Sequence, residues 1–342
     1  MLFPSLLAKG LSRVLKAARV GSAIDLPERH RYVIFSDHHK GGGTGADDFQ
    51  FSKATYLAAL DYYFAQGHQL IILGDAEELW EEKIERVVET YPDVFQSEAR
   101  FHKEGRYRRI FGNHDNNWAS AGQVKKHLYP FFPGLQVDEG LLFRYNNADP
   151  DSSGELFLAH GHQGTLDSEL FAPLSRIIVR GVWRTFQILF GHTGATPSKD
   201  ACLRGEHDTL MYEWASKQGK LLLIAGHTHR PIWGSRTLFE GKLIELEALQ
   251  MANQLTPIPG YEKRRAALRD EIQEMRTGDE FCKDSIKTSP SYFNDGCCSF
   301  SNGDVTGYEL VNGELRLVRW AKGGSFPEQL GGGRLADIFF SL

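Results

Sequence analysis

Five loops carry residues able to bind a metal ion: Asp37 and His39 in "SDHHK", Asp75 in "GDAEE", Asn113 in "GNHD", His160 in "AHGH", and His227 with His229 in "GHTHR". Carboxylates, an amide and imidazoles, with no thiolate among them, suit Mn²⁺, Fe²⁺/Fe³⁺ or Zn²⁺ and do not resemble a structural zinc knot. These seven positions are too many for one tetrahedral ion and enough for two. Two ions about 3.5–4 Å apart can share a carboxylate and a hydroxide, generate that hydroxide near neutral pH, and clamp the oxygens of an in-line phosphoryl displacement. A single H-x-H has little specificity, and alone it reads equally well as a pair of ordinary loop histidines.

The elements that must position these residues make the case. Tyr32–Ser36, Gln69–Leu73, the run ending at Phe111, the run ending at His160, and Leu221–Ile224 are short apolar β-compatible stretches. Each delivers its ligand-type residues at its C-terminal end, where ligands gather in open α/β sheets. Scattered core histidines would not keep choosing the same end of successive strands. Helical spacing in Phe51–Gln66 and Glu206–Lys217 completes a strand, loop, helix alternation. After the charged helical stretch "YEKRRAALRDEIQEMR", the segment "YFNDGCCSFSNGDVTGYELVNGELRLVRW" alternates around Asn-Gly turns and predicts an antiparallel hairpin closing a second sheet.

With 342 residues, 41% hydrophobic and 24% charged, the chain can bury a substantial core. A net charge of −5 argues mildly against a protein that coats nucleic acid, although a local basic patch could still bind a phosphate polymer. No short-period repeat is visible, and no apolar run reaches the roughly 18 residues of a membrane span. The N-terminus mixes basic with apolar residues and does not read as a secretory signal. The four cysteines form no C-x-x-C pair, which points to a reducing cytosol, and adjacent Cys297 and Cys298 read as buried strand residues.

In this order, "DHH", "GDAEE", "GNHD", the lone His160 and "GHTH" resemble the calcineurin-like metallophosphoesterases over roughly Arg31–Leu249. The resemblance implies a four-layered α/β/β/α sandwich of two packed mixed sheets with helical insertions. It implies two divalent or trivalent ions, Mn or Fe favoured over Zn: Asp37, His39 and His229 on the first, Asn113, His160 and His227 on the second, Asp75 bridging. The implied reaction is hydrolysis of a phosphate ester or anhydride by the bridging hydroxide, with Asp75, Asn113 and His114 as catalytic residues. His114 would face the scissile phosphate, stabilising charge or protonating the leaving oxygen. Asp115 and Glu78 could orient ligands; a solvated residue opening the next helix is the other reading of Glu78. His38 alternates to the opposite face of its strand and is read as packing or supporting the ligands. His162 either approaches the cluster or only hydrogen-bonds a loop.

"GDAEELW" and "GHTHRP" are also similar to the UDP-2,3-diacylglucosamine diphosphatases of lipid A synthesis, as is a long helical segment between His160 and "GHTH". The chain departs from them at His114, where Arg is usual, and at His162, where Asp is usual. A phosphoesterase is thus the primary expectation, a lipid-linked UDP-sugar diphosphatase the alternative, and a nuclease or non-catalytic scaffold less favoured. The expected partner is a phosphorylated small molecule or lipid-linked substrate.

The organisation expected is an N-terminal amphipathic segment over 1–28, a catalytic domain over 29–320 with helical insertions at about 166–195 and 252–288, and a loosely attached tail over 321–342. Within "FAPLSRIIVRGVWRTFQILF", Arg176, Arg180 and Arg184 fall at i, i+4 and i+8 beside Trp183, with no acidic residue from Leu170 to Lys199. Two readings stand: surface helices packed on the core, or an interfacial anchor and lid offering arginines to lipid or substrate phosphates. The second would place a cytoplasmic protein peripherally on the inner face of an anionic membrane.

Overall fold

A computed structural model describes residues 4–163, 201–277 and 287–342, apart from the single positions 22, 28, 46 and 288. Two seven-stranded mixed sheets form its centre. The first runs β1 (Ala23–Asp25), β6 (Gly140–Tyr145), β7 (Gly154–Ala159), β8 (Leu221–Ala225), β11 (Tyr292–Asn294), β9 (Ile232–Trp233), β10 (Arg236–Thr237). The second runs β14 (Glu328–Arg334), β13 (Glu314–Trp320), β12 (Val305–Val311), β2 (Arg31–Phe35), β3 (Gln69–Leu73), β4 (Tyr107–Ile110), β5 (Val137–Asp138).

The alternation of side chains along a strand explains the layering. Tyr32 and Ile34 of β2 point into the apolar layer between the sheets, where they join Ile71, Leu73, Leu156, Leu158, Leu222 and Ile224. Val33 and Phe35 point the other way, into a layer shared with Tyr56, Tyr63, Val94 and Phe95 of the helices Phe49–Ala65 and Pro92–Lys103. On the far side, Leu142, Phe157, Leu221 and Leu223 meet the helices Pro4–Gly21 and Ala201–Ala215. Three apolar layers between four structural layers give the α/β/β/α sandwich. Because strands such as β8 are buried on both faces, their sequence is continuously apolar instead of alternating.

β2, β3 and β4 are parallel neighbours in one sheet, and β7 and β8 are parallel neighbours in the other. All five ligand-bearing loops therefore leave the C-terminal ends of paired parallel strands.

Several elements differ from the sequence expectation. The tail is not loosely attached: β14 pairs antiparallel with β13, and Leu335, Ala336 and Phe339 of the helix Leu335–Phe340 are buried. Its glycine run is a strand because Trp233 of the opposite sheet lies against it; a Cβ on Gly331 would sit 2.7 Å from Trp233 Cγ. The predicted antiparallel hairpin forms, β12 pairing with β13 across Asn312-Gly313 in the second sheet, but β14 takes the closing edge beyond it, and Tyr292–Asn294 leaves it to join β8 in the first sheet as β11. Cys297 and Cys298 are buried free thiols, but they occupy the loop between β11 and β12, not a strand. The second helical insertion begins earlier than 252, with the helix Leu238–Leu255 capped reciprocally by Thr237 and Glu240, followed by the helix Tyr261–Thr277. The N-terminal helix uses its apolar face, Leu7, Leu11, Val14, Leu15 and Ala18, on the core, and Arg13 and Arg19 pair with Glu139 and Glu155. The insertion at 166–195, with Arg176, Arg180 and Arg184, lies outside the described residues. Among the described residues no helix is long and apolar enough to cross a membrane.

Candidate metal centre

Five of the seven ligand-type residues, Asp37, His39, Asp75, His227 and His229, have φ between 49° and 69°. Asp and His enter this left-handed region more readily than most residues, yet it still costs on the order of 1 kcal/mol or more at each position. Cross-strand backbone bonds hold the strain: Asp37 N–H donates to Gly74 O (3.1 Å), His39 N–H to Asp75 O (3.0 Å) and Lys40 N–H to Ala76 O (3.1 Å). Between the two sheets, His227 N–H donates to Asp37 Oδ2 (2.9 Å), and within the first sheet Gly226 N–H donates to His160 O (3.0 Å). The loops are stitched to one another, and their side chains are turned into one cluster.

Two groups with ligand atoms within 4.8 Å of one another are Asp37, His39, His229 and Asp75, His160, His227; His39, Asp75 and His114 make a third, overlapping group. Asp75 Oδ2 lies 3.0 Å from His160 Nε2 and 3.9 Å from His39 Nε2, so one oxygen reaches both of the first two groups. Asp75 Oδ1 accepts the His114 N–H at 2.8 Å. His229 Nε2 is 3.1 Å from Asp37 Oδ1 and 3.1 Å from His39 Nε2.

The residues fit cations. Asp37 Oδ1, Asn113 Oδ1 and His160 Nε2 are buried and lack a hydrogen-bond partner among the described residues. His160 Nδ1–H donates to Leu73 O (2.9 Å), which leaves the Nε2 lone pair directed at a carboxylate oxygen. Lone pair on lone pair is repulsive unless a positive charge lies between them. Burial opposes charge on His160, but Asp75 and Asp37 prevail and push it up to about 10. Burial likewise opposes ionisation of Asp37, which His160 and His229 nevertheless hold well below the usual carboxylate range. Carboxylates that draw a proton onto His160 would equally draw a metal cation, and a donor set without thiolates suits oxygen- and nitrogen-preferring divalent metals.

Supporting side chains complete the centre. Glu78 Oε2 lies 2.6 Å from His114 Nδ1 and 3.2 Å from His39 Nδ1, and against the cost of burial these imidazoles pull the carboxyl down to about 2. It lies before the helix Ile84–Thr90 and opens none. Trp80 stacks on the His114 ring (centroids 3.9 Å, 22°) and donates Nε1–H to Asn113 O (2.8 Å). Asp115 accepts from the N–H groups of Gly112 (2.6 Å), Ala76 (2.9 Å) and Asp75 (3.3 Å). His38 packs edge-on against Tyr56 at 4.6 Å. The His162 ring is 5.4 Å from that of His160, and burial pushes it down to about 3.

Beneath the loops lies a buried ionic network that the sequence did not disclose. Lys40 Nζ pairs with Glu77 (3.3 Å) and Glu98 (3.0 Å), and Arg109 pairs with Glu77 and with Asp115 (3.2 Å). No local pattern distinguishes these charges from solvated ones. Trp80 was missed for the same reason: its contacts with His114 and Asn113 depend on tertiary neighbours.

The two-sheet sandwich gathers Asp and His side chains at its parallel strand ends into overlapping groups that could hold metal ions. The chain belongs to the calcineurin-like phosphoesterase family, whose model matches residues 30–231. No curated protein matches the chain. It is accordingly a phosphoester hydrolase with a metal-binding centre.

Proposed function

We propose that Asp37, His39 and His229 hold one ion and Asn113, His160 and His227 the other, with Asp75 shared, and that the enzyme hydrolyses a phosphate ester or anhydride of a small or lipid-linked substrate. The observation that carries this reading is the reach of Asp75 Oδ2 to both His160 and His39. When bound, such a pair, Mn or Fe before Zn, supplies Lewis-acid polarisation of the phosphoryl oxygens and lowers the pKa of water.

The protein's own residues do the rest. Glu78 engages His114 Nδ1, so that Nε2 is the nitrogen left to hold a proton for the leaving oxygen. Trp80 fixes the plane of that ring by stacking and fixes Asn113 through its carbonyl. Asp115 holds the backbone of Asp75 and Gly112 so that the shared carboxylate does not swing away.

The test is turnover of a panel of phosphomonoesters, phosphodiesters and nucleotide diphosphate sugars by the purified chain, before and after chelation and with Mn²⁺ restored. Hydrolysis lost on chelation and recovered with Mn²⁺ supports the proposal. Hydrolysis of none of the three classes with two ions bound contradicts it. Turnover confined to a diphosphate sugar would select the lipid-linked UDP-sugar alternative.

A further inference from the structure

Thr228 sits between His227 and His229, whose φ values are 69° and 55°. This short stretch turns twice through left-handed conformations and must send adjacent imidazoles in different directions. On its N-terminal side the loop packs so closely that no side chain fits at Gly226, where a Cβ would lie 2.4 Å from Asp37 Oδ2 and from Ser36 Oγ. Its centre is held by hydrogen bonds to Thr228.

Asp208 holds Thr228 from outside every recognised motif. It is fully buried on the helix Ala201–Ala215, and its Oδ1 accepts from the Thr228 hydroxyl (2.9 Å) and the Tyr292 hydroxyl (2.8 Å). Its Oδ2 lies 3.5 Å from Arg230 Nη1, one residue beyond His229. Asn294 closes the ring: its Nδ2 donates to Gly226 O (2.5 Å) and lies 3.1 Å from Thr228 Oγ1 and 3.0 Å from the Tyr292 oxygen. Helix, loop and β11 thus meet at one carboxylate. Keeping a carboxylate there is costly, since burial pushes it up to about 6 despite Arg230 and Lys287. The charge is set against Arg230 and Lys287, while the two hydroxyls need only an acceptor oxygen.

We propose that Asp208 is a positioning residue of the metal centre, pinning Thr228 so that His227 and His229 diverge toward different ions; this rests on the dinuclear reading given above. His207, its neighbour, donates Nε2–H to Gly161 O (2.8 Å) and so ties the same helix to the His160 loop.

The test uses the full chain with Mn²⁺ as probe, measuring stoichiometry and affinity by calorimetry for wild type, Thr228→Val, Asp208→Ala and Asp208→Asn. Thr228→Val keeps the branched shape and replaces the hydroxyl by a methyl, which removes the hydrogen bond to Asp208. Loss of such support around a metal site typically costs 10- to 100-fold in affinity. The expected result is a loss of about that size for both ions in Thr228→Val and Asp208→Ala. Asp208→Asn, which retains an acceptor for both hydroxyls, returns to within a few-fold of wild type. Should Asp208→Ala fail to fold, Thr228→Val and Asp208→Asn carry the test. Wild-type Mn²⁺ affinity in Thr228→Val, or an Asp208→Asn as impaired as Thr228→Val, overturns the inference alone. A wild-type chain that does not bind two Mn²⁺ ions overturns the dinuclear reading and this inference with it.

Discussion

Replacing Arg109 by Met should destabilise the metal-free protein by about 3 kcal/mol, the low end of the range for breaking a buried ion pair. Its guanidinium is fully buried and touches Glu77 and Asp115. Within the network two cations, Lys40 and Arg109, face three carboxylates, Glu77, Glu98 and Asp115, so the substitution leaves one against three. The cost is not at the upper end because both orphaned carboxylates keep partners. Glu77 retains Lys40 at 3.3 Å and the Trp118 indole N–H at 2.9 Å; Asp115 retains three backbone N–H groups. Adding Glu77→Gln restores the charge balance and should recover about 1–2 kcal/mol of the loss. Urea unfolding followed by tryptophan fluorescence, with chelator present so that metal binding does not contribute, measures both variants. A single variant within 1 kcal/mol of wild type, or a double variant less stable than the single, would refute the electrostatic reasoning.

His114→Ala should retain both metals yet turn over about 10²- to 10⁴-fold more slowly, most of all on substrates with basic leaving oxygens. Equal losses on nitrophenyl and alkyl phosphates would sink the general-acid role. Burial, with Arg31 and Arg106 nearby, pushes His68 down to about 4 from its ordinary 6.5. The folded chain therefore binds fewer protons than the unfolded one between those values, and stability falls as pH drops through that window by at most about 3 kcal/mol. His68→Gln should flatten this part of the pH–stability profile, and an unchanged profile would show that His68 is not its source. Arg180→Glu with Arg184→Glu should weaken sedimentation with anionic vesicles at low salt; no wild-type binding to such vesicles removes the membrane expectation. With the N-terminal apolar face already packed on the core, that expectation rests on the 171–190 segment alone.

The motif loops were legible because strand ends deliver polar residues at fixed offsets, and because Asp, His and Gly tolerate the left-handed turns that aim them. Interior strands were legible in continuous apolar runs such as Leu221–Ile224, whereas the layering of two sheets followed only from the family resemblance. Pairings that only folding creates were not. Lys40 and Arg109 read as surface charges until Glu77, Glu98 and Asp115 surround them. The glycines of β14 read as a loose tail until Trp233 needs their missing side chains. Asp208 sits on a helix face with no motif around it, and nothing local announces that Thr228 and Tyr292 will both reach it.

The proposed sharing of Asp75 between two ions is tested most directly by metal content per chain. Asp75→Ala and His229→Ala, purified side by side and analysed for bound metal and turnover, should differ in kind. A bridging carboxylate organises both ions, whereas water can partly replace one terminal imidazole. Asp75→Ala is expected to lose both metals and nearly all activity, while His229→Ala keeps one ion or part of its activity. An Asp75→Ala protein that retains two metals and most of its turnover would contradict that sharing.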